Sequence, residues 1–87
     1  MPLKNVDAYI NLSAIYTQQS NYLEALFDLN KAIAIKPNFG PAFRDRSAVY
    51  FGLQEYDKAW ADVQKAKELG QTVNSDFLQA LKKASGK

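Results

Sequence analysis

The sequence predicts an all-α protein made of two stacked helical hairpins and a fifth, closing helix. A shift of 34 residues brings small, aromatic and charged side chains onto side chains of the same type, which indicates an internal repeat. Within each half of the repeat, apolar residues recur with the three-and-four spacing of an α-helix. Glycine, proline and asparagine fall between these periodic segments, where helices begin or end. We therefore expect a single domain over residues 1–87, with one repeat at about 6–39, a second at about 40–73, and a closing helix at about 74–87.

The two copies of the repeat match at small and aromatic positions, which decide how closely helices can pack. The identical pairs are Ala8 and Ala42, Ser13 and Ser47, Ala14 and Ala48, Tyr16 and Tyr50, Tyr22 and Tyr56, Ala25 and Ala59, Asp28 and Asp62, Lys31 and Lys65, and Ala32 and Ala66. Helix axes lie roughly 8–10 Å apart, depending on the side chains between them. The pattern therefore predicts close helix crossings at Ser13, Ala25, Ser47 and Ala59.

The first repeat contains two predicted helices, at residues 6–19 and 22–35. Asn21 is the predicted N-cap of the second helix, and Glu24 three residues later completes a capping-box pattern. Pro37 cannot continue that helix, because its ring fills the place of a backbone N–H.

The second repeat contains predicted helices at residues 40–53 and 56–69. Gly40 is a predicted cap, followed by Pro41 at the first helical position. Gly70 is well placed to end the second of these helices in a left-handed conformation.

The closing helix is predicted at residues 75–84, with Asn74 or Ser75 as its cap. Its apolar residues follow helical spacing, so we expect them to face the rest of the protein. These inward residues are Phe77, Leu78, Leu81 and Ala84.

Composition narrows the classes of function. The chain has no histidine and no cysteine, so it lacks the commonest general base and the commonest metal ligands. It also has no glycine-rich phosphate loop, because its four glycines fall at turns and helix ends. We expect no catalytic residue, no metal and no cofactor. The net charge of +2 is too small to indicate a nucleic-acid or membrane partner.

The chain also lacks sequence signals for a membrane. No segment approaches the roughly 18 apolar residues that span a bilayer. The first residues, MPLKNVDAY, do not show the basic-then-apolar pattern of a signal peptide. We expect a cytoplasmic protein.

The period and the order of residue types resemble the tetratricopeptide repeat family. Counted from Val6, the family's pattern positions hold Tyr9, Leu12, Ser13, Tyr16, Ala25, Leu29, Ala32 and Pro37. In the second copy the same positions hold Phe43, Arg46, Ser47, Tyr50, Ala59, Val63, Ala66 and Gln71. Arg46 and Gln71 depart from the pattern, and the stretch from Asn74 resembles the family's solvating C-terminal helix. The resemblance implies a right-handed α-α superhelix and a protein-binding function, with a peptide or partner helix held in a concave groove.

The resemblance also implies which residues line that groove. The first helix would contribute Asp7, Ile10, Asn11, Ala14, Thr17 and Gln18, the third Arg44, Asp45, Ala48 and Phe51, and the closing helix Leu78, Gln79 and Lys82. Of these, Ile10, Phe51 and Leu78 would form an apolar strip, which is typical of a binding surface.

One subset of the family grips the C-terminal carboxylates of chaperones through lysine, asparagine and arginine side chains. The resemblance places those side chains at positions that hold Ile10, Ala14, Asp45, Ser75 and Gln79 in this chain. Asp45 would repel a carboxylate, so we expect the carboxylate clamp to be absent.

Two other functions remain open besides groove binding. Nothing in MPLKN shields the outer side of the first hairpin, so that end could stack on a second copy or be the structural end piece of a longer array. Leu23 and Phe27 would add an exposed apolar spot there. Single-stranded RNA binding is a weaker alternative, because Asp7 and Asp45 would offset Arg44 and Lys82 in the groove.

Overall fold

The computed structural model describes residues 5–87, and this part of the chain forms five α-helices and no strand. They are α1 Val6–Gln18, α2 Tyr22–Ile35, α3 Gly40–Gly52, α4 Tyr56–Glu68 and α5 Ser75–Ser85. Each helix packs on the next one along the chain, which makes a stack of two hairpins and a closing helix. The predicted all-α superhelix is confirmed, and each predicted helix boundary lies within one residue of the observed one. The predictions that rest on residues 1–4 lie outside the described residues.

Small side chains occupy the close helix crossings, as predicted. Ala25 and Ala59 are fully buried, and Ser13 and Ser47 are each only 1% exposed. The two serines need no partner from another helix, because Ser13 Oγ donates to the Ile10 carbonyl at 2.7 Å. Ser47 Oγ donates in the same way to the Arg44 carbonyl at 2.6 Å. A buried serine with its hydroxyl satisfied inside its own helix lets two helices approach without an unpaired polar group.

The apolar interior consists of two clusters, one in each half of the stack. The first contains Val6, Ala25, Leu29, Ala32, Ala42 and Val49. The second contains Phe43, Ala59, Val63, Ala66, Val73 and Leu81. Ile33 of α2 packs against both clusters, so the core is continuous from the first hairpin to the closing helix.

The arginine that departs from the repeat pattern forms a half-buried ion pair. Arg46 Nε donates to Asp62 Oδ2 at 2.7 Å, and Arg46 Nη2 donates to Asp62 Oδ1 at 2.8 Å. Arg46 Nη1 also donates to Asn30 Oδ1 of α2 at 2.9 Å. One guanidinium therefore joins α2, α3 and α4.

The helix ends confirm some predicted caps and correct others. Asn74 caps α5, since its side chain accepts from Phe77 N at 3.1 Å, and Gly70 is left-handed with φ +86°. Asn21 stands at the N-cap position of α2 but does not cap it, so the predicted capping box is wrong. Its Nδ2 instead donates to Gln19 Oε1 at 3.1 Å.

The start of α3 is shifted by one residue from the prediction, because Phe39 is the N-cap and Gly40 is the first helical residue. Gly40 is needed there for space and not as a cap. A Cβ at Gly40 would lie 2.7 Å from Cγ of Gln71, closer than packed carbons approach.

The closing helix packs along a stripe with a spacing of four residues. Leu81 is fully buried, Phe77 is half-buried, and Ser85 Oγ accepts from Trp60 Nε1 at 3.0 Å. Ala84 is exposed, so its predicted inward position is wrong. The stripe continues through Ser85 because residues four apart share a helix face.

Among residues 5–87, no helix is both long enough and apolar enough to cross a membrane.

Candidate functional site

Two adjoining clefts lie between α1, α3 and α5. The first, of about 220 Å³, is lined by Ser13, Ala14, Thr17, Gln18, Asp45 and Ala48. The second, also of about 220 Å³, is lined by Arg44, Asp45, Ser47, Ala48, Val73, Asn74 and Phe77. Asp45 and Ala48 belong to both, so the clefts form one continuous surface across three helices. We call this surface the groove and define it by these residues.

The groove contains six of the thirteen residues that the sequence placed in it. These are Ala14, Thr17 and Gln18 from α1, and Arg44, Asp45 and Ala48 from α3.

The other predicted site residues do not line either cleft. Ile10, Phe51 and Leu78 are half-buried and pack against the core clusters. Asp7, Asn11, Gln79 and Lys82 are exposed on α1 and α5. These seven residues therefore lie on the same helices as the groove without lining it.

Phe51 has a defined place in the interior. Its ring centroid lies 5.5 Å from that of Phe77 in an edge-on arrangement and 5.9 Å from that of Tyr56. Aromatic pairs at these distances stabilise packing. Phe51 thus contacts Phe77, which lines the second cleft.

The first cleft is lined by small groups. Thr17 Oγ1 donates to the Ser13 carbonyl at 2.7 Å, so its hydroxyl is already used within α1. Ala14 and Ala48 add only methyl groups to the cleft. A ligand side chain or a peptide backbone can therefore approach α1 and α3 closely at this point.

Asp45 and Arg44 provide the charges of the groove. Arg44 Nε lies 3.3 Å from Asp45 Oδ1, and Arg44 Nη1 donates to Gln71 Oε1 at 3.0 Å. Burial raises the pKa of the Asp45 carboxyl, and the Arg44 guanidinium partly offsets this effect. Because Arg44 is already paired with Asp45, a ligand carboxylate that approached this guanidinium would also meet the Asp45 charge.

Five groove residues were not predicted to line it: Ser13, Ser47, Val73, Asn74 and Phe77. Val73 is buried, in the segment that leads from α4 into α5. An apolar residue between polar neighbours is the sequence feature that could have identified Val73. The predicted groove included only residues of helices, and Val73 lies between α4 and α5, so it was not included.

Within the described part of the chain, no three acidic side chains come together in a way that could hold a metal ion.

Comparison with known proteins identifies the type of repeat. The family model described as "Tetratricopeptide repeat" matches residues 6–39. The chain is 32% identical over 79 residues to Hsp70-Hsp90 organizing protein 3 of Arabidopsis thaliana, which covers 91% of this chain and 14% of the relative. It is 34% identical over 61 residues to heat shock protein STI1 of Saccharomyces cerevisiae, covering 70% of this chain and 10% of the relative.

A third relative is protein unc-45 homolog B of Xenopus tropicalis, 36% identical over 73 residues, which is 84% of this chain and 8% of that protein. The chain therefore spans 14% or less of the length of these relatives. No solved structure significantly matches the chain.

Proposed function

Because this chain belongs to the tetratricopeptide repeat family, a family of protein–protein interaction modules, we propose that it binds a peptide or a partner helix in the groove. The observation that carries this proposal is the continuity of the two clefts, which share Asp45 and Ala48. A ligand can cross α1, α3 and α5 without leaving the surface. Binding sites for elongated ligands need such an uninterrupted path.

The charges in the groove favour one ligand chemistry. Asp45, at the junction of the clefts, favours a cationic side chain or backbone N–H groups of the ligand, because both can donate to its carboxylate. A ligand carboxylate placed there would be repelled. The name of one relative, Hsp70-Hsp90 organizing protein 3, states that it organizes Hsp70 and Hsp90. We propose that this chain differs in the ligand group it recognises, because Asp45 and Ala14 stand where a carboxylate clamp needs cationic or amide side chains.

The other predicted site residues would contact parts of the ligand that lie outside the clefts. Ile10, Phe51 and Leu78 would meet apolar groups of a ligand that extends beyond the clefts. Asn11 and Lys82 are exposed and would meet its polar groups.

A pair of matched substitutions tests the location of the site. Peptides selected on the full 87-residue chain provide the ligand, and fluorescence anisotropy measures their affinity. Ala14→Arg places a long side chain in the first cleft, at an exposed helical position that tolerates it. We expect it to weaken binding about tenfold or more while the thermal melt stays unchanged. Ala61→Arg, the same change at an exposed position of α4, should leave the affinity unchanged.

A second pair tests the role of charge. Asp45→Ala removes the carboxylate that would accept from the ligand, so it should weaken binding by about 1 kcal/mol. Glu68→Ala removes the same charge from an exposed position of α4 and serves as the control. If the two α4 changes weaken binding and the two groove changes do not, the ligand lies on the other side of the stack.

A further inference from the structure

A second apolar surface lies on the outer side of the first hairpin. It consists of Leu12 and Ile15 of α1, which are 44% and 51% exposed, and Leu23 and Phe27 of α2, which are 70% and 60% exposed. A pocket of about 370 Å³ lies beside them, lined by Tyr16, Leu23, Glu24, Phe27 and Asp28. We call these residues together the end face. Four large apolar side chains exposed on one hairpin, two on each of its helices, indicate a contact surface.

The internal repeat shows what kind of element covers the α1 part of this face, whereas Asp57 and Ala61, the counterparts of Leu23 and Phe27, are exposed. The counterpart of Ile15 in the second repeat is Val49, which is fully buried. Val49 and Ala42 of α3 share a core cluster with Leu29 and Ala32 of α2. The face of α3 that corresponds to the exposed face of α1 is therefore covered by a helix.

The end face also contains a buried carboxylate without a hydrogen bond. Asp28 is 7% exposed, and its Oδ2 accepts no hydrogen bond from the residues that the structure describes. Its counterpart Asp62 receives two hydrogen bonds from Arg46, whereas Leu12 stands at the position that corresponds to Arg46. Burial raises the pKa of the Asp28 carboxyl. Among residues 5–87, the first repeat thus holds the acid of the ion pair without the base.

The helix that covers α3 is α2 of the first repeat, and it passes beside the ion pair of the second repeat. Asn30 of α2 accepts a hydrogen bond from Arg46 Nη1 at 2.9 Å. A helix that lay on α1 as α2 lies on α3 would therefore bring its residue at the Asn30 position next to Leu12 and Asp28. An arginine at that position could reach the Asp28 carboxylate.

We propose that the end face binds an amphipathic helix of a partner protein, which places an arginine on Asp28. This site is separate from the groove and does not depend on the proposed function. Small residues in the incoming helix would allow the close approach seen between α2 and α3, and its apolar side would cover Leu12 and Ile15.

A second copy of the chain fits this face less well. The chain has only two arginines, and both are engaged, Arg44 with Asp45 and Gln71, and Arg46 with Asp62. Two end faces brought together would also place two Asp28 carboxylates in one apolar interface, which is costly.

The test uses two synthetic peptides and three forms of the full chain. One peptide has the α2 sequence of residues 21–36, and the other carries the change Asn30→Arg. The proteins are wild type, Asp28→Asn and Leu12→Arg, and circular dichroism confirms that each is folded. In Leu12→Arg, the new side chain stands where Arg46 stands in the second repeat. It can form an ion pair with Asp28 within the chain, so that Asp28 is no longer free for the peptide.

We expect wild type to bind the arginine peptide about tenfold or more tightly than the parent peptide, because a hydrogen-bonded charge pair is worth that much. The preference should disappear in both protein variants. Equal affinities for the two peptides, binding of neither, or a preference that survives in Asp28→Asn would overturn the proposal. A wild-type dimer in sedimentation equilibrium that Phe27→Asp converts to a monomer would assign the face to a second copy instead.

Discussion

Arg46 of α3 binds the carboxylate of Asp62 of α4 through two hydrogen bonds, and the Asp62 side chain is only 6% exposed. Arg46→Leu reproduces the residue of the first repeat and leaves Asp62 buried without a partner. We expect a loss of about 3 kcal/mol or more in the free energy of unfolding, because an unpaired buried charge is costly. Urea denaturation measures it.

Two comparison variants make this prediction specific. Arg46→Lys should retain only part of the stability, because an ammonium group cannot donate in the same forked geometry. Arg44→Leu, on the same helix, breaks a more exposed pair and should cost less than about 1 kcal/mol. If Arg46→Leu costs no more than Arg44→Leu, the ion pair does not hold the hairpin together.

Asp28, the counterpart of Asp62 in the first repeat, should affect stability in the opposite direction: its removal should stabilise the fold. Burial raises the pKa of Asp28 above its ordinary value of 3.8, so the folded state binds this proton more tightly than the unfolded chain does. The charged carboxylate therefore destabilises the fold at pH values above its folded-state pKa, and this cost disappears as the pH falls below 3.8.

Asp28→Asn should thus raise the free energy of unfolding near neutral pH, because the amide brings no charge into the buried site. The gain should shrink as the pH is lowered through the raised pKa towards 3.8. Asp62→Asn is the matched control and should destabilise at neutral pH, since it weakens the bond to Arg46. Melts of both variants across this pH range check the signs, and a destabilising Asp28→Asn would contradict the account.

The helices were predictable because local signals and the repeat agreed. The two copies carry the same pattern independently, and residues such as Gly70 and Asn74 mark helix ends through backbone chemistry alone. Ser13 and Ala25 identified the close crossings, because a small residue that recurs at the repeat's own spacing is typical of a tight helix contact.

The groove was less predictable, since a helical period shows which residues share a face but not what lies against them. Phe51 was predicted on the open side of α3, yet Phe77 of α5 packs against its ring. Val73 lies outside every helix and follows no period at all. The unpaired state of Asp28 was likewise not evident, because an aspartate shared by the two copies suggested equal environments.

The two asparagines at helix starts differ in their predicted effects. Asn74→Ala should cost about 1 kcal/mol, because it removes the hydrogen bond from Phe77 N to the side chain. Asn21→Ala should cost less, because the Asn21 side chain makes no capping bond to α2. Thermal melts of both variants compare them directly, and equal losses would mean that the Asn74 cap contributes nothing.

Overpacking tests the helix crossings. Ala25→Leu and Ala59→Leu add large side chains where each alanine is fully buried, and each should destabilise by about 1–3 kcal/mol. Ala61→Leu adds the same atoms at an exposed position of α4 and should cost little. Three equal melting temperatures would show that the crossings can open to admit a leucine.

Gly52, the last residue of α3, lies against the ring of Tyr22 of α2, and the two residues should be strongly coupled. A Cβ at Gly52 would lie 2.8 Å from Tyr22 Cε2 and closer still to Cζ. Alanine normally stabilises a helix over glycine by up to about 1 kcal/mol, but a clash with a packed ring costs about 1–3 kcal/mol. We therefore expect Gly52→Ala to destabilise the wild type by about 1 kcal/mol.

Truncation of the ring should reverse that sign. In a Tyr22→Ala background the added methyl group has room, so Gly52→Ala should become neutral or stabilising through its helix preference. A double-mutant cycle of urea denaturation curves gives the coupling energy between the two positions. A coupling near zero would mean that the ring moves aside at no cost. A coupling of about 1 kcal/mol or more would show that the glycine is required for α2 to pack against the end of α3.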